Sequence, residues 1–113
     1  MGGFVSQTVI RGGEKIHPVE VENCLFELDA IQNVSVIGVP DERYGEQVCA
    51  WISTKKDEEV TLEDIQKFCQ GKLAHYKVPK YLVVVQPSEF PTTPSGKIQK
   101  NLMRERTKEM LKL

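Results

Sequence analysis

One lysine stands where a cation has little local reason to be. In Pro91-Thr92-Thr93-Pro94-Ser95-Gly96-Lys97-Ile98-Gln99-Lys100 the prolines stiffen a loop and Gly96 lets it turn. Lys97 is thereby presented at the head of a helix predicted from about Ile98. A cation at a helix N-terminus opposes the macrodipole by roughly several tenths of a kcal/mol. A residue that costs stability locally without packing gain is a candidate for function. A phosphate-cradling P-loop is excluded, because the first Gly is absent and Ile98 replaces the metal-binding Ser or Thr. The remaining role is electrostatic: an ammonium placed where negative charge gathers during transfer at phosphorus or a carboxylate.

Two further groupings carry chemistry of a related kind. In Arg11-Gly12-Gly13-Glu14-Lys15-Ile16, adjacent glycines between a strand and a helix let the backbone pass close to a ligand, or else simply make a tight turn. In Pro40-Asp41-Glu42-Arg43-Tyr44-Gly45-Glu46 and His75-Tyr76-Lys77-Val78-Pro79-Lys80, Tyr44 and Tyr76 are rings in polar loops. Each is either a platform for a base or a cover over the core edge. Lys77 and Lys80 are suited to phosphates.

The elements that must position these loops can be read from periodicity. Phe4 to Ile10 is a short strand. A helix follows, with Pro18 at its first position and Val21, Cys24, Leu25 and Leu28 as one apolar stripe. Asn33 to Val39 and Gln47 to Thr54 are strands, the second apolar on both faces. Thr61 with Asp64 forms a capping box for a helix whose stripe is Leu62, Ile65, Phe68 and Cys69. Tyr81 to Val85 is a strand, and in the last helix Ile98, Leu102, Met110 and Leu111 are read as the apolar face, which Met103 blurs, leaving Lys100, Arg104, Lys108 and Lys112 mostly toward solvent. The order β-α-β-β-α-β-α predicts an α+β fold, helices on a small, largely antiparallel sheet.

Composition narrows the class. A chain of 113 residues suits one compact domain. No apolar run approaches the roughly 18 residues of a membrane span, and the start lacks a secretory signal, so an intracellular domain is expected. Cys24, Cys49 and Cys69 are widely spaced among apolar neighbours, which suits reduced core thiols better than a disulfide or metal site. Residues 1–66 hold 5 Lys and Arg against 13 Asp and Glu, and residues 67–113 hold 10 against 3. The basic part would attract a polyanion, or it merely solvates helix faces.

Taken together, these segments resemble a family. Gly12-Gly13-Glu14-Lys15-Ile16-His17-Pro18-Val19-Glu20-Val21-Glu22 is similar to the Gly-Gly-Glu-x-Ile-x-Pro-x-Glu-x-Glu segment of acyl-CoA synthetases, which are adenylate-forming enzymes. Pro91 to Lys100 is similar to their C-terminal Pro-x-Thr-x-x-Gly-Lys-Ile-x-Lys loop, and Gly38-Val39-Pro40-Asp41, Tyr44-Gly45-Glu46 and Tyr76-Lys77-Val78-Pro79-Lys80 lie between in matching order. The resemblance spans residues 9–112 and is nearest to medium-chain fatty acyl-CoA synthetases. It implies a C-terminal lid domain over residues 9–113, working with a large N-terminal domain that binds ATP, the fatty acid and most of the Mg2+. Lys97 would contact the carboxylate and the α-phosphate during adenylation. Gly12, Gly13 and Glu14 would line the path of coenzyme A, with Tyr44, Tyr76 and Lys77 near its nucleotide. The compartment implied is mitochondrial or cytoplasmic. In place of the family's Gly-Arg-x-Lys-Asp hinge stands Met1 to Thr8, expected to be an artificial leader or a truncated hinge, and this domain alone should not turn over substrate.

Other readings are an adenylation domain feeding a carrier protein, a small interaction module, and a nucleic-acid-binding module. Against the last, Trp51 and Tyr81 do not form the aromatic strand motif of RNA readers of this topology.

Overall fold

Two long strands joined by a short turn make the centre of the protein, because their residues are β-branched or small and apolar on both faces. In the computed structural model, which describes residues 8–112, these are β3 (Ile31–Asp41) and β4 (Gly45–Thr54). They pair antiparallel from Asp41 opposite Gly45 to Ile31 opposite Thr54, with an irregularity near Asn33. The turn is shaped by Asp41, whose Oδ2 accepts from the backbone N–H groups of Arg43 (3.0 Å) and Tyr44 (2.8 Å).

The expected chain order holds with one addition. The chain runs β1 (Val9–Arg11), β2 (Glu14–Ile16), α1 (Pro18–Leu25), β3, β4, α2 (Leu62–Cys69), β5 (Tyr81–Val84) and α3 (Lys100–Leu111), with single 3-10 turns at His75–Lys77 and Pro87–Glu89. The α+β class and the largely antiparallel pairing are as expected. The exception is β5, which lies parallel to β4. A parallel neighbour needs a crossover, and α2 supplies it. Among the described residues the first strand begins at Val9; residues 4–7 of that expectation lie outside the described residues, as does all of the proposed leader except Thr8.

β2 is the strand that sequence reading missed. It has three residues, of which only Ile16 is buried, so it offers no alternation to detect. It forms a hairpin with β1, Arg11 opposite Glu14, and the loop is Gly12-Gly13 alone. Both glycines have positive φ, 57° and 88°, as a two-residue hairpin turn that follows the twist of its strands requires. The double glycine is thus accounted for by the turn.

β4 separates two apolar clusters. Val48, Ala50 and Ile52 meet Val9, Ile16, Val21, Leu25, Ile65 and Cys69, so the β1–β2 hairpin, α1 and α2 cover one face. Cys49 and Trp51 meet Ile37, Val39, Val83, Phe90 and Met103, which places α3 and the Phe90 segment on the other. The Trp51 and Phe90 rings lie 6.1 Å apart at 58°. Gly38 of β3 is closely packed: a Cβ there would stand 3.1 Å from Val9 Cγ1, so Val9 would have to give way.

The capping box of α2 forms as expected: Thr61 Oγ1 accepts from Asp64 N (3.1 Å) and Asp64 Oδ2 accepts from Thr61 N (3.0 Å). In α3 the expected apolar face is wrong. Ile98 precedes the helix, and Leu102, Met110 and Leu111 are exposed on it, whereas Met103 and Thr107 are fully buried. Lys100 and Arg104 lie on the same inward side, each paired with a carboxylate of the body. Reading cations as a solvent face therefore turned the helix the wrong way.

Trp51 is buried with its indole N–H donating to Thr107 Oγ1 at 2.8 Å, and that hydroxyl donates to Met103 O at 2.7 Å. Thr107→Val strands the indole N–H and should lower the unfolding free energy in urea by about 1–3 kcal/mol, with Thr107→Ser recovering most of the loss. An unchanged midpoint in Thr107→Val would contradict this account of the α3 seat.

All three thiols are free and buried. Burial pushes Cys49 and Cys69 up to about 12 and raises Cys24 as well. In the unfolded chain the same thiols ionise near 9, so the unfolded state releases protons first as pH rises. The contribution of Cys49 and Cys69 to stability is complete below pH 9 and declines between 9 and about 12. Urea titrations across that range should show a shallower decline for Cys49→Ala than for the parent, and parallel declines would refute the assignment to Cys49.

Candidate functional site

The turn of the first hairpin and the turn between β3 and β4 meet side by side. Gly12 N–H donates to Tyr44 O at 2.8 Å, and a Cβ on Gly12 would touch Tyr44 Cδ1 at 3.3 Å. Gly13 has open space beside it. The glycine pair therefore lets the backbone approach a ring of this chain, at Gly12, and leaves a gap at Gly13. Glu14 begins β2 and is exposed.

Tyr44 is the centre of a charged contact that sequence reasoning did not foresee. The Arg11 guanidinium lies 4.0 Å from its ring centroid and that of Arg43 lies 5.2 Å away. Arg11 Nε also donates to Gln47 Oε1 at 3.0 Å, which fixes the guanidinium from a second direction. Arg11 and Arg43 lie within the segments that were singled out, so adjacency to the double glycine and to Tyr44 was the available signal. Their convergence on one ring needs the β1–β4 packing, which no local pattern encodes.

These residues form one wall of an open cleft of about 560 Å³. Arg11, Asp41, Arg43, Tyr44 and Gln47 face Gln66, Gln70, His75, Val78, Pro79 and Lys80 across it. Arg11, Arg43 and Lys80 line the cleft with a single carboxylate, Asp41, which already accepts two backbone N–H groups. The balance suits an anionic ligand with polar edges.

Tyr76 and Lys77 border this cleft without lining it. Tyr76 is half-buried and packs against the larger apolar cluster. Lys77 Nζ donates to Glu20 Oε1 of α1 at 2.8 Å, a contact that raises its pKa, and it lies 5.8 Å from the Tyr76 ring centroid. Lys80 stands in the cleft itself, two residues beyond Val78.

Lys97 belongs to a separate projection. It does not sit at a helix head: α3 begins at Lys100, and Lys97 directly follows a tight turn over residues 93–96. Thr93 N donates to Lys97 O (2.8 Å), Gly96 N to Thr93 O (2.8 Å) and Lys97 N to Thr93 Oγ1 (3.1 Å). Below the tip, Thr92 bridges Ile98 and Gln99 N donates to Pro91 O at 2.8 Å. Pro91 and the preceding Phe90 are buried. A small hairpin rooted in the core thus presents an exposed ammonium. The macrodipole argument transfers to Lys100, the first helical residue. Among the described residues no group of three or more His, Cys, Asp or Glu is arranged to hold a metal ion, and no helix is long and apolar enough to cross a membrane.

Comparison with known proteins gives the lineage. Residues 20–97 match the family described as AMP-binding enzyme C-terminal domain. A mitochondrial medium-chain acyl-CoA ligase of Danio rerio is 49% identical over 98% of this chain, which covers 18% of that relative. A putative acyl-CoA synthetase of Bacillus subtilis is 41% identical over 98% of this chain and 20% of its own length. The crystal structure of apo MatB from Rhodopseudomonas palustris superposes with a TM-score of 0.86 at 32% identity, covering 92% of this chain and 20% of that one. The chain spans about a fifth of the length of the relatives it matches. It belongs to the AMP-binding enzyme C-terminal domain family.

Proposed function

We propose that this domain is the lid of an ATP-dependent ligase that joins a fatty acid to coenzyme A, working with a large N-terminal domain that binds ATP, the fatty acid and most of the Mg2+. The medium-chain ligases among its relatives support that substrate class. The mitochondrial and the bacterial relatives support an intracellular setting, mitochondrial or cytoplasmic.

The observation that carries the proposal is the exposed ammonium of Lys97 on a hairpin tied by its own backbone and rooted by Phe90 and Pro91. In the first step a carboxylate oxygen attacks the α-phosphorus of ATP and the bond to pyrophosphate breaks. Lys97 faces the carboxylate and the α-phosphate, where charge builds in the transition state. In the second step the coenzyme A sulfur attacks the acyl carbon and AMP leaves. Gly12, Gly13 and Glu14 border the path of the thiol arm, the open side of Gly13 leaving room for it. Tyr44, Tyr76 and Lys77 lie toward the nucleotide of coenzyme A, beside the cationic cleft. Arg11 on the Tyr44 ring makes Tyr44 a seat for a guanidinium as well as a surface for a base. Because the residues for the two steps lie on different parts of the domain, and ATP sits on its partner, the isolated lid does not turn over substrate.

In the intact ligase, Lys97→Ala should slow acyl-adenylate formation by about 10² to 10³-fold, the scale for removing a transition-state donor. Thioester formation from supplied acyl-adenylate should persist. Pyrophosphate release and thioester formation measured separately decide the matter, and an equal loss in both would sink the assignment of Lys97.

A further inference from the structure

The hairpin that carries Lys97 has two stems, and they are held differently. The incoming stem is anchored by burial, with Phe90 6% exposed against Trp51 and Pro91 buried behind it. The outgoing stem runs Ile98, Gln99, Lys100, and neither Ile98 nor Gln99 is buried. Gln99 is the N-cap of α3 and makes no side-chain capping bond. By the usual rules this helix start should fray, and Lys100, a cation at its first position, should make that worse.

Besides the Gln99–Pro91 backbone bond, one carboxylate opposes fraying. Lys100 Nζ donates to Glu22 Oε2 at 2.8 Å, and the same oxygen accepts the Val36 N–H at 2.8 Å. Glu22 projects from α1 and Val36 sits in β3, so three elements converge on one oxygen atom. Both side chains of the pair are 21% exposed. The pairs Lys67–Glu63 and Lys108–Glu105, at 3.6 and 3.7 Å, are within a helix and more exposed, the kind that contributes little. A negative charge beside the first turn also reverses the unfavourable effect of Lys100 on the helix dipole.

We propose that Glu22 and Lys100 are positioning residues, a brace that holds the outgoing stem so that Lys97 stays where adenylate formation needs it. This rests on the assignment of Lys97 to that step. Neither residue touches the reacting atoms; they act through three residues of backbone, Ile98 to Lys100, and through the Gln99–Pro91 hydrogen bond at the base of the hairpin.

The test uses the intact ligase with Lys100→Met, Glu22→Gln, Lys100→Arg and, as comparator, Arg104→Met. Arg104 forms an ion pair with Glu46 (3.0 Å) one turn further along α3, away from the hairpin. Lys100→Met should slow acyl-adenylate formation by about 10 to 10²-fold through kcat, the scale for misplacing a catalytic group. Thioester formation from supplied acyl-adenylate should stay within about twofold, as expected for a group that acts only in the first transition state. Glu22→Gln keeps an acceptor for Val36 but no charge, and should match Lys100→Met. It also replaces that variant if the latter does not fold. Lys100→Arg should restore most of the rate. Adenylate formation in Lys100→Met equal to that in Arg104→Met overturns the brace.

Lys97→Ala is run alongside. Should it retain adenylate formation, the functional reading fails, and the brace is then judged on this 113-residue chain by amide exchange. Lys100→Met should speed exchange at the Lys97 and Gln99 amides by about tenfold over Arg104→Met, the mark of local opening. Equal exchange in the two variants overturns the brace independently of any activity.

Discussion

Everything in this domain depends on β4 being covered on both faces. A strand whose successive residues Val48, Cys49, Ala50, Trp51 and Ile52 are all buried cannot lie at the surface of a two-layer fold. It demands helices above and below, and an edge partner on either side. α1, α2 and the first hairpin meet the demand on one face, α3 and the Phe90 segment on the other, with β3 and β5 at the edges. The loops that carry the candidate chemistry are the connections this arrangement forces. The β3–β4 turn holds Tyr44, the α2–β5 crossover holds Tyr76, Lys77 and Lys80, and the passage from β5 to α3 holds Lys97.

The crossover shows how the constraint shapes the cleft. Since β5 runs parallel to β4, the chain must return across the sheet through α2 before β5 can start. It descends beside the β3–β4 turn, and Lys80 N donates to Val48 O at 2.9 Å as β5 approaches. That places His75 to Lys80 opposite Arg11, Arg43 and Tyr44. An antiparallel fifth strand joined by a short hairpin would have left this wall unopposed.

What could be read from sequence was what local physics encodes. The capping box at Thr61 and Asp64, Pro18 at the first position of α1 and the two-faced apolar run of β4 each involve neighbours in the chain, and each is present. β2 was invisible because a three-residue strand with one buried side chain has no period. α3 was misread because Lys100 and Arg104 face inward, and only partners at distant positions, Glu22 and Glu46, make that tolerable. The stack of Arg11 on Tyr44 was hidden for the same reason: the two are far apart in sequence and meet only once the hairpin packs on the turn. The motifs that suggested Lys97 were local, but its seat just past a hairpin turn ahead of α3 was not.

The carboxylates that draw the cations of α3 inward also bear on how the proposed lid would work. Glu46 Oε1 accepts the Ile10 N–H at 2.8 Å while its Oε2 takes Arg104, so β1, β4 and α3 are joined at one side chain, as α1, β3 and α3 are at Glu22. Lys100 and Arg104 are four residues apart on one helix face, so α3 is fastened twice in a single turn. One fastening lies beneath the Lys97 hairpin, the other beneath the strand that leads into Gly12. Both candidate regions of the proposed scheme are tied to the same short length of helix, which couples their movement. In the proposed scheme, exchanging Lys97 for the Gly12–Tyr44 region at a shared reaction centre then requires rotation of the whole domain. A rigid interior is the condition for that rotation to move one group out as it brings the other in.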